Sequence, residues 1–174
     1  FGRTSKGLPI VNLLDLNEGE ELATCMTLKD FEEGYLFFTT SNGIVKRTSV
    51  QDFKNIRANG IRAINLKDQD TLHSVKFTDG TRDIIIGAYN GKAIRFHEEQ
   101  VRSMGRTASG VKGIDLVKDE SVVGVTVVSE DQNQVLAITN LGYGKRTEVD
   151  EYRSQNRGGK GVKTINVTDK NGPL

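Results

Sequence analysis

Near the C-terminal end, Gln155-Asn156-Arg157-Gly158-Gly159-Lys160-Gly161 sets two cations around a glycine pair, with a third glycine closing the run and no acid inside it. Glycine adopts φ > 0 and lets backbones approach closely, so the run predicts a sharp turn that displays its cations. Backbone amides of Gly158, Gly159 and Gly161 can face an anion in the same turn. The matching chemistry is phosphate binding, with Arg as a two-pronged donor and Lys as a point charge. Reduced copies stand upstream at Arg3-Thr4-Ser5-Lys6-Gly7, Arg57-Ala58-Asn59-Gly60 and Arg106-Thr107-Ala108-Ser109-Gly110. The candidate contacts in these loops are Arg3, Lys6, Arg57, Arg62, Arg106, Lys112, Arg157, Lys160 and Lys163.

The charge distribution supports that reading more than the total does. The net charge of the 174 residues is only +1, yet segments 2–7, 54–62, 102–112 and 153–163 hold 12 of the 24 Lys and Arg and none of the 23 Asp and Glu. The acids gather elsewhere, in Asp15–Glu21, Asp30–Glu33, Asp68–Asp70, Asp119–Glu120 and Glu148–Glu151. This partition predicts a basic face on an otherwise acidic body.

Catalytic patterns are weak by comparison. His73 and His97 lie in strand-like segments without a shared motif, and neither glycine run carries the Gly-Lys-Ser/Thr that opens a P-loop helix. Asp68-Gln69-Asp70 reads as an acidic turn, and Tyr35, Tyr89, Tyr143 and Tyr152 as strand or core-plug residues. Cys25 is the single cysteine, which rules out an internal disulfide; it is expected in an apolar strand as a small core residue, in a reducing, cytoplasmic setting. No apolar run approaches the roughly 20 residues of a membrane helix, and no part of the chain is expected to serve as a signal peptide.

The loops must be positioned by a repeated frame. Segments 36–53, 84–101 and 135–152 superpose without gaps, each an apolar run, a glycine turn and a second run with cations at fixed places. The added cations are Lys46, Arg47, Arg95, Lys145 and Arg146, which extend the expected basic surface. Asn42-Gly43 and Asn90-Gly91 predict β-hairpins with type I′ turns. Each hairpin ends in a short polar helical turn whose last residue, Phe53, Val101 or Tyr152, plugs the core. After each basic loop, apolar residues alternate at Val11 and Leu13, Ile64 and Leu66, Ile114 and Leu116, and Ile165 and Val167, predicting a half-buried strand. Further strands are expected at 22–28, 72–77 and 122–128.

Hairpins recur at intervals of 48 and 51 residues, and loops at 50 to 53. About four strands per repeat predict an all-β, propeller-like array of four-stranded blades rather than a β-sandwich. The repeats are about 1–28 (partial), 29–78, 79–128 and 129–174 (incomplete), a partial ring of three to four blades. The pattern breaks off at both ends, as in an arc cut from a longer protein.

Gln155–Gly161 resembles the seven-residue box of the C-terminal domain of DNA gyrase A subunits, with Gln155 and Arg157 in their places and Asn156 at the second position. Leu8–Leu14, the Asn-Gly hairpins and Asn140–Thr147 resemble the same domain, as does, more distantly, its counterpart in topoisomerase IV. The resemblance implies a β-pinwheel whose blades exchange strands, usually six in number. It implies double-stranded DNA, bound largely without regard to sequence, wrapped on the outer rim in support of negative supercoiling. The implied protein partners are the rest of the gyrase A subunit together with the B subunit, in the bacterial cytoplasm near the nucleoid, with no membrane. No cofactor is expected in this part, ATP and magnesium being used elsewhere in the enzyme, and no catalytic or metal site. Two departures stand out: the best box is the last of four, and residues 162–174 are not an acidic tail. The alternative reading is a propeller-type protein-interaction scaffold whose cations serve solubility.

Overall fold

The structure is a computed structural model that describes residues 2–9, 12–14, 16–57 and 60–174. Val11 of the first alternating pair, and Ala58 and Asn59 of the second basic loop, lie outside the described residues. The strands in chain order are β1 (Tyr35–Thr40), β2 (Ile44–Ser49), β3 (Leu72–Thr78), β4 (Asp83–Ala88) and β5 (Lys92–His97), then β6 (Val111–Lys112), β7 (Val122–Val127), β8 (Gln134–Ile138), β9 (Gly144–Glu148) and β10 (Val162–Lys163).

Three hairpins carry the repeat. In β1–β2, β4–β5 and β8–β9 the registers match: Phe37 faces Arg47, Ile85 faces Arg95 and Leu136 faces Arg146. At each tip a glycine with φ of 77° to 83° donates its N–H to the carbonyl three residues back. Asn42 and Asn90 keep negative φ, so each tip is a three-residue loop ending in a left-handed glycine, not the two-residue type I′ turn that Asn-Gly suggests. Short 3-10 turns follow at Val50–Phe53, Glu98–Gln100 and Val149–Glu151. Phe53, Val101 and Tyr152 are buried as the pattern predicts.

The sheets are assembled from more than one repeat. The first runs β3-β1-β2-β6 and the second β7-β4-β5-β10, all antiparallel. The outer strand of each sheet comes from beyond the next hairpin: Val45 pairs with Val111, and Ala93 with Val162. Each blade thus borrows its edge from its neighbour. The third hairpin stands as a two-stranded sheet.

Two sequence expectations give way here. Residues 22–28 form no strand, and Cys25 is exposed. The corresponding β3 and β7 pair with the first strand of an upstream hairpin, and among the described residues no hairpin precedes residue 22 to receive such a strand. The alternating stretch after each loop is also shorter than its pattern. Only Val111–Lys112 and Val162–Lys163 are strand; beyond them, Gly113 and Ile114 donate N–H groups to Gly43 O, and Thr164 and Ile165 to Gly91 O. Ile114 is buried without being in a ladder.

Packing runs from blade to blade. One cluster joins Phe37 and Val45 of the first sheet to Ile84, Ile86, Ile94 and Phe96 of the second, with the Phe37 and Phe96 rings 6.4 Å apart. Another joins Ile85 and Ala93 to Val149 and Tyr152 of the third unit. The first junction also holds a buried ion pair. Glu98, fully buried, accepts from Thr78 Oγ1 (2.6 Å), the N–H groups of Gly80 (3.0 Å) and Arg82 (2.9 Å), and Arg47 Nη1 (3.5 Å). Removing the charge weakens four interactions at once, so Glu98→Gln is expected to cost about 3 kcal/mol, read as a lower urea midpoint. An unchanged midpoint would show that the carboxylate is dispensable.

Candidate nucleic-acid interface

The glycine-rich loops hang on the outer edges of the blades by a repeated set of bonds. Met104 N–H donates to Arg47 O, and Gln155 N–H to Arg95 O, both at 2.8 Å. The loop then bulges and returns as β6 or β10 along the same outer strand. Its closing glycine passes against that strand: a Cβ on Gly110 (φ +97°) or Gly161 (φ +72°) would lie 2.5 Å from Val45 O or Ala93 O. Glycine is required here by both conformation and space.

The predicted cations divide into displayed and structural groups. Arg3, Lys6, Arg57, Arg62, Lys160 and Arg146 are exposed, Arg106 is half-buried, and none makes an ion pair among the described residues. Lys112 is exposed but bonded to Asp115 at 2.7 Å, and this hydrogen bond holds the Asp115 carboxyl below its usual range. Lys163 donates to Asn166 Oδ1 at 3.2 Å, and Lys145 reaches Thr164 O at 3.4 Å.

The remaining hairpin cations do not extend the basic surface. Lys46 is fully buried, lies 5.2 Å from the Phe38 ring centroid and donates to Ala63 O and Arg106 O. Arg47 is buried on the Tyr35 ring and pairs with Glu98. Arg95 donates to Asp83 (2.7 Å) and to the carbonyls of Val149 (2.9 Å) and Tyr152 (3.3 Å). Neighbouring blades cover all three, and each donates to a group of the following blade.

The intact box is itself partly architectural. Arg157 Nε donates to Gln100 O (2.8 Å) and its Nη1 to Lys112 O (3.1 Å), while Gln100 Oε1 accepts from Arg157 N–H (2.8 Å) and Gln100 Nε2 donates to Gln155 O (3.1 Å). Gly158 N–H donates to Gly113 O at 2.6 Å and is not available to an anion, contrary to the sequence reading. Gly159 O accepts from Asp115 N–H. Lys160 is the exposed cation of the box. Gln100 and Glu98 were not anticipated as partners of this region. A signal existed for Glu98, because the superposed positions are Val50 and Val149, both buried and apolar.

Burial lowers the Lys46 ammonium from 10.5 to about 8. The folded chain therefore gives up this proton before the unfolded chain does, so stability should rise with pH from about 8 to about 10.5. Lys46→Met removes this contribution, and the difference between the two urea-midpoint profiles isolates it. Parallel profiles across that window would contradict it.

Among the described residues, no group of three or more His, Cys, Asp or Glu could hold a metal ion. Hairpin blades with exchanged edges and a basic loop on each outer edge define a β-propeller of the pinwheel kind. The family described as "DNA gyrase C-terminal domain, beta-propeller" matches residues 2–29, 34–79, 83–129 and 133–172. The DNA gyrase A subunit of Staphylococcus epidermidis is 50% identical over 177 residues, covering 100% of this chain and 20% of that protein. The Ureaplasma parvum gyrase A subunit is 49% identical over 172 residues, covering 99% and 20%. Among solved structures, the C-terminal domain of DNA topoisomerase IV aligns at a TM-score of 0.86 and 30% identity, covering 96% of this chain and 52% of that one. A DNA gyrase A C-terminal domain aligns at 0.86 and 29%, covering 97% and 57%. The chain belongs to the family of DNA gyrase C-terminal domains, and it spans about one fifth of the length of the gyrase A subunits it matches.

Proposed function

We propose that this chain is a non-catalytic module of a gyrase A subunit that binds duplex DNA along its outer-edge loops and bends it. One observation carries the reading. Successive loops hang from successive blades by the same bonds and carry Arg106, half-buried, and Lys160, exposed, while Lys46, Arg47 and Arg95 of the first two hairpins are turned into the blade junctions. A curved row of cations neutralises phosphates in sequence, and the added contacts offset the few kcal/mol that bending costs. Contacts of this kind position the duplex without reading its bases. Joined to the rest of the A subunit, with the B subunit supplying ATP and magnesium chemistry in the bacterial cytoplasm, such a wrap would support negative supercoiling.

The test is a gel shift with a long random-sequence duplex from low to moderate salt. Length-dependent binding that weakens steeply with salt is expected, and no binding at low salt would overturn the reading. The scaffold alternative has one observation in its favour: Leu136, Ile138, Leu141 and Tyr143 are exposed on the third hairpin. It predicts binding to protein partners with no response to DNA.

A further inference from the structure

The two junctions between successive basic loops are built differently. At the second, the Arg157 guanidinium is inserted between loops and satisfied by the carbonyls of Gln100 and Lys112. At the first, the superposed residue is Arg106, and its side chain makes no hydrogen bond among the described residues. It lines a cavity of about 750 Å³ together with Lys54, Arg57 and Arg62, four cations with no acid among the described residues of the wall. Like charges around one concavity repel unless an anion sits among them.

The two loops that line the cavity are tied to each other. Lys46, fully buried, ties Ala63 O of one loop to Arg106 O of the next, and Asn65 N–H adds a bond to Ala108 O. At the second junction the superposed residue is Ile94, buried and apolar, so the ammonium is not needed to fill that space. Its distinguishing property is that it donates to both loops.

We propose that Lys46 is a positioning residue that locks the two loops at a fixed separation, so that Lys54, Arg57, Arg62 and Arg106 form one site for a single phosphate group of the duplex backbone. This rests on the DNA-binding reading for the identity of the ligand. A free phosphate or pyrophosphate carries the same recognised chemistry and serves as a probe independent of duplex binding.

The experiment is an NMR titration of the 174-residue chain with inorganic pyrophosphate, paired with the duplex gel shift. Amides of Arg57, Gly60, Arg62, Arg106 and Thr107 are expected to shift along one binding curve. In Lys46→Met the chain is expected to stay folded, as Ile94 does at the matching place, while pyrophosphate binding weakens about tenfold and the two loops titrate with separate constants. Should Lys46→Met fail to fold, Lys46→Gln, which keeps one donor, takes its place with the same expectation. Wild-type pyrophosphate binding in the folded variant would overturn the positioning role. Duplex binding without any pyrophosphate response at these amides would overturn the site and leave the DNA reading standing. Pyrophosphate binding without duplex binding would keep the site and remove DNA as its ligand.

Discussion

Replacing Arg57, Arg62, Arg106 and Lys160 together by Gln is expected to lower duplex affinity about sixtyfold at 0.1 M salt. Each lost phosphate contact removes about 0.9 from the slope of log affinity against log salt, roughly an eightfold loss at that concentration. Arg57, Arg62 and Arg106 share one phosphate and Lys160 holds another, so two contacts multiply to about sixtyfold and the slope should flatten by about 1.8. Thermal stability should hardly change, because none of the four side chains makes an ion pair among the described residues. Arg157→Gln should do the reverse, since its guanidinium is committed to Gln100 O and Lys112 O: the melting temperature should fall and the slope should change little. A large affinity loss in the fourfold variant at constant slope would mean that these residues do not meet phosphates.

Gly161→Ala is expected to be the most damaging single substitution in the box. Its φ of +72° disfavours any side chain, and the added Cβ would stand 2.5 Å from Ala93 O and 2.7 Å from Ala93 C. Strain of about 1 to 2 kcal/mol from the left-handed conformation adds to overpacking of similar size. The sum, on the order of 3 kcal/mol, falls on the short β10–β5 pairing. Gly142→Ala provides the control, with φ +83° and nothing within 4 Å of the new Cβ. It should cost only about 1 kcal/mol. Equal urea midpoints for the two variants would refute the close approach as the reason for glycine at 161.

What the sequence displayed and what it hid follow from how far each contact reaches. Hairpins, 3-10 plugs and basic loops are local, and the repeat made each legible several times over. Lys46, Arg47 and Arg95 read as surface cations because a charged residue in a strand is usually solvated. Their burial is decided by groups far along the chain, such as Arg106 O for Lys46, Glu98 for Arg47 and Tyr152 O for Arg95. Gln100 offered no local sign, because its partners are Gln155 and Arg157. In the gapless superposition Lys46 also aligns with Ile94, an exchange of charge for an apolar residue that hints at an interior site.

The borrowed edge strands also bear on how the chain is made. Ile44 cannot meet Lys112, nor Lys92 meet Lys163, until the whole of the next hairpin has been synthesised. A nascent chain therefore leaves the ribosome with its newest blade open and its outer backbone unpaired. Each blade matures one repeat late, and its completion is coupled to that of its neighbour. A break after His97 would release not only the second hairpin's own partners but also the strand that closes the first.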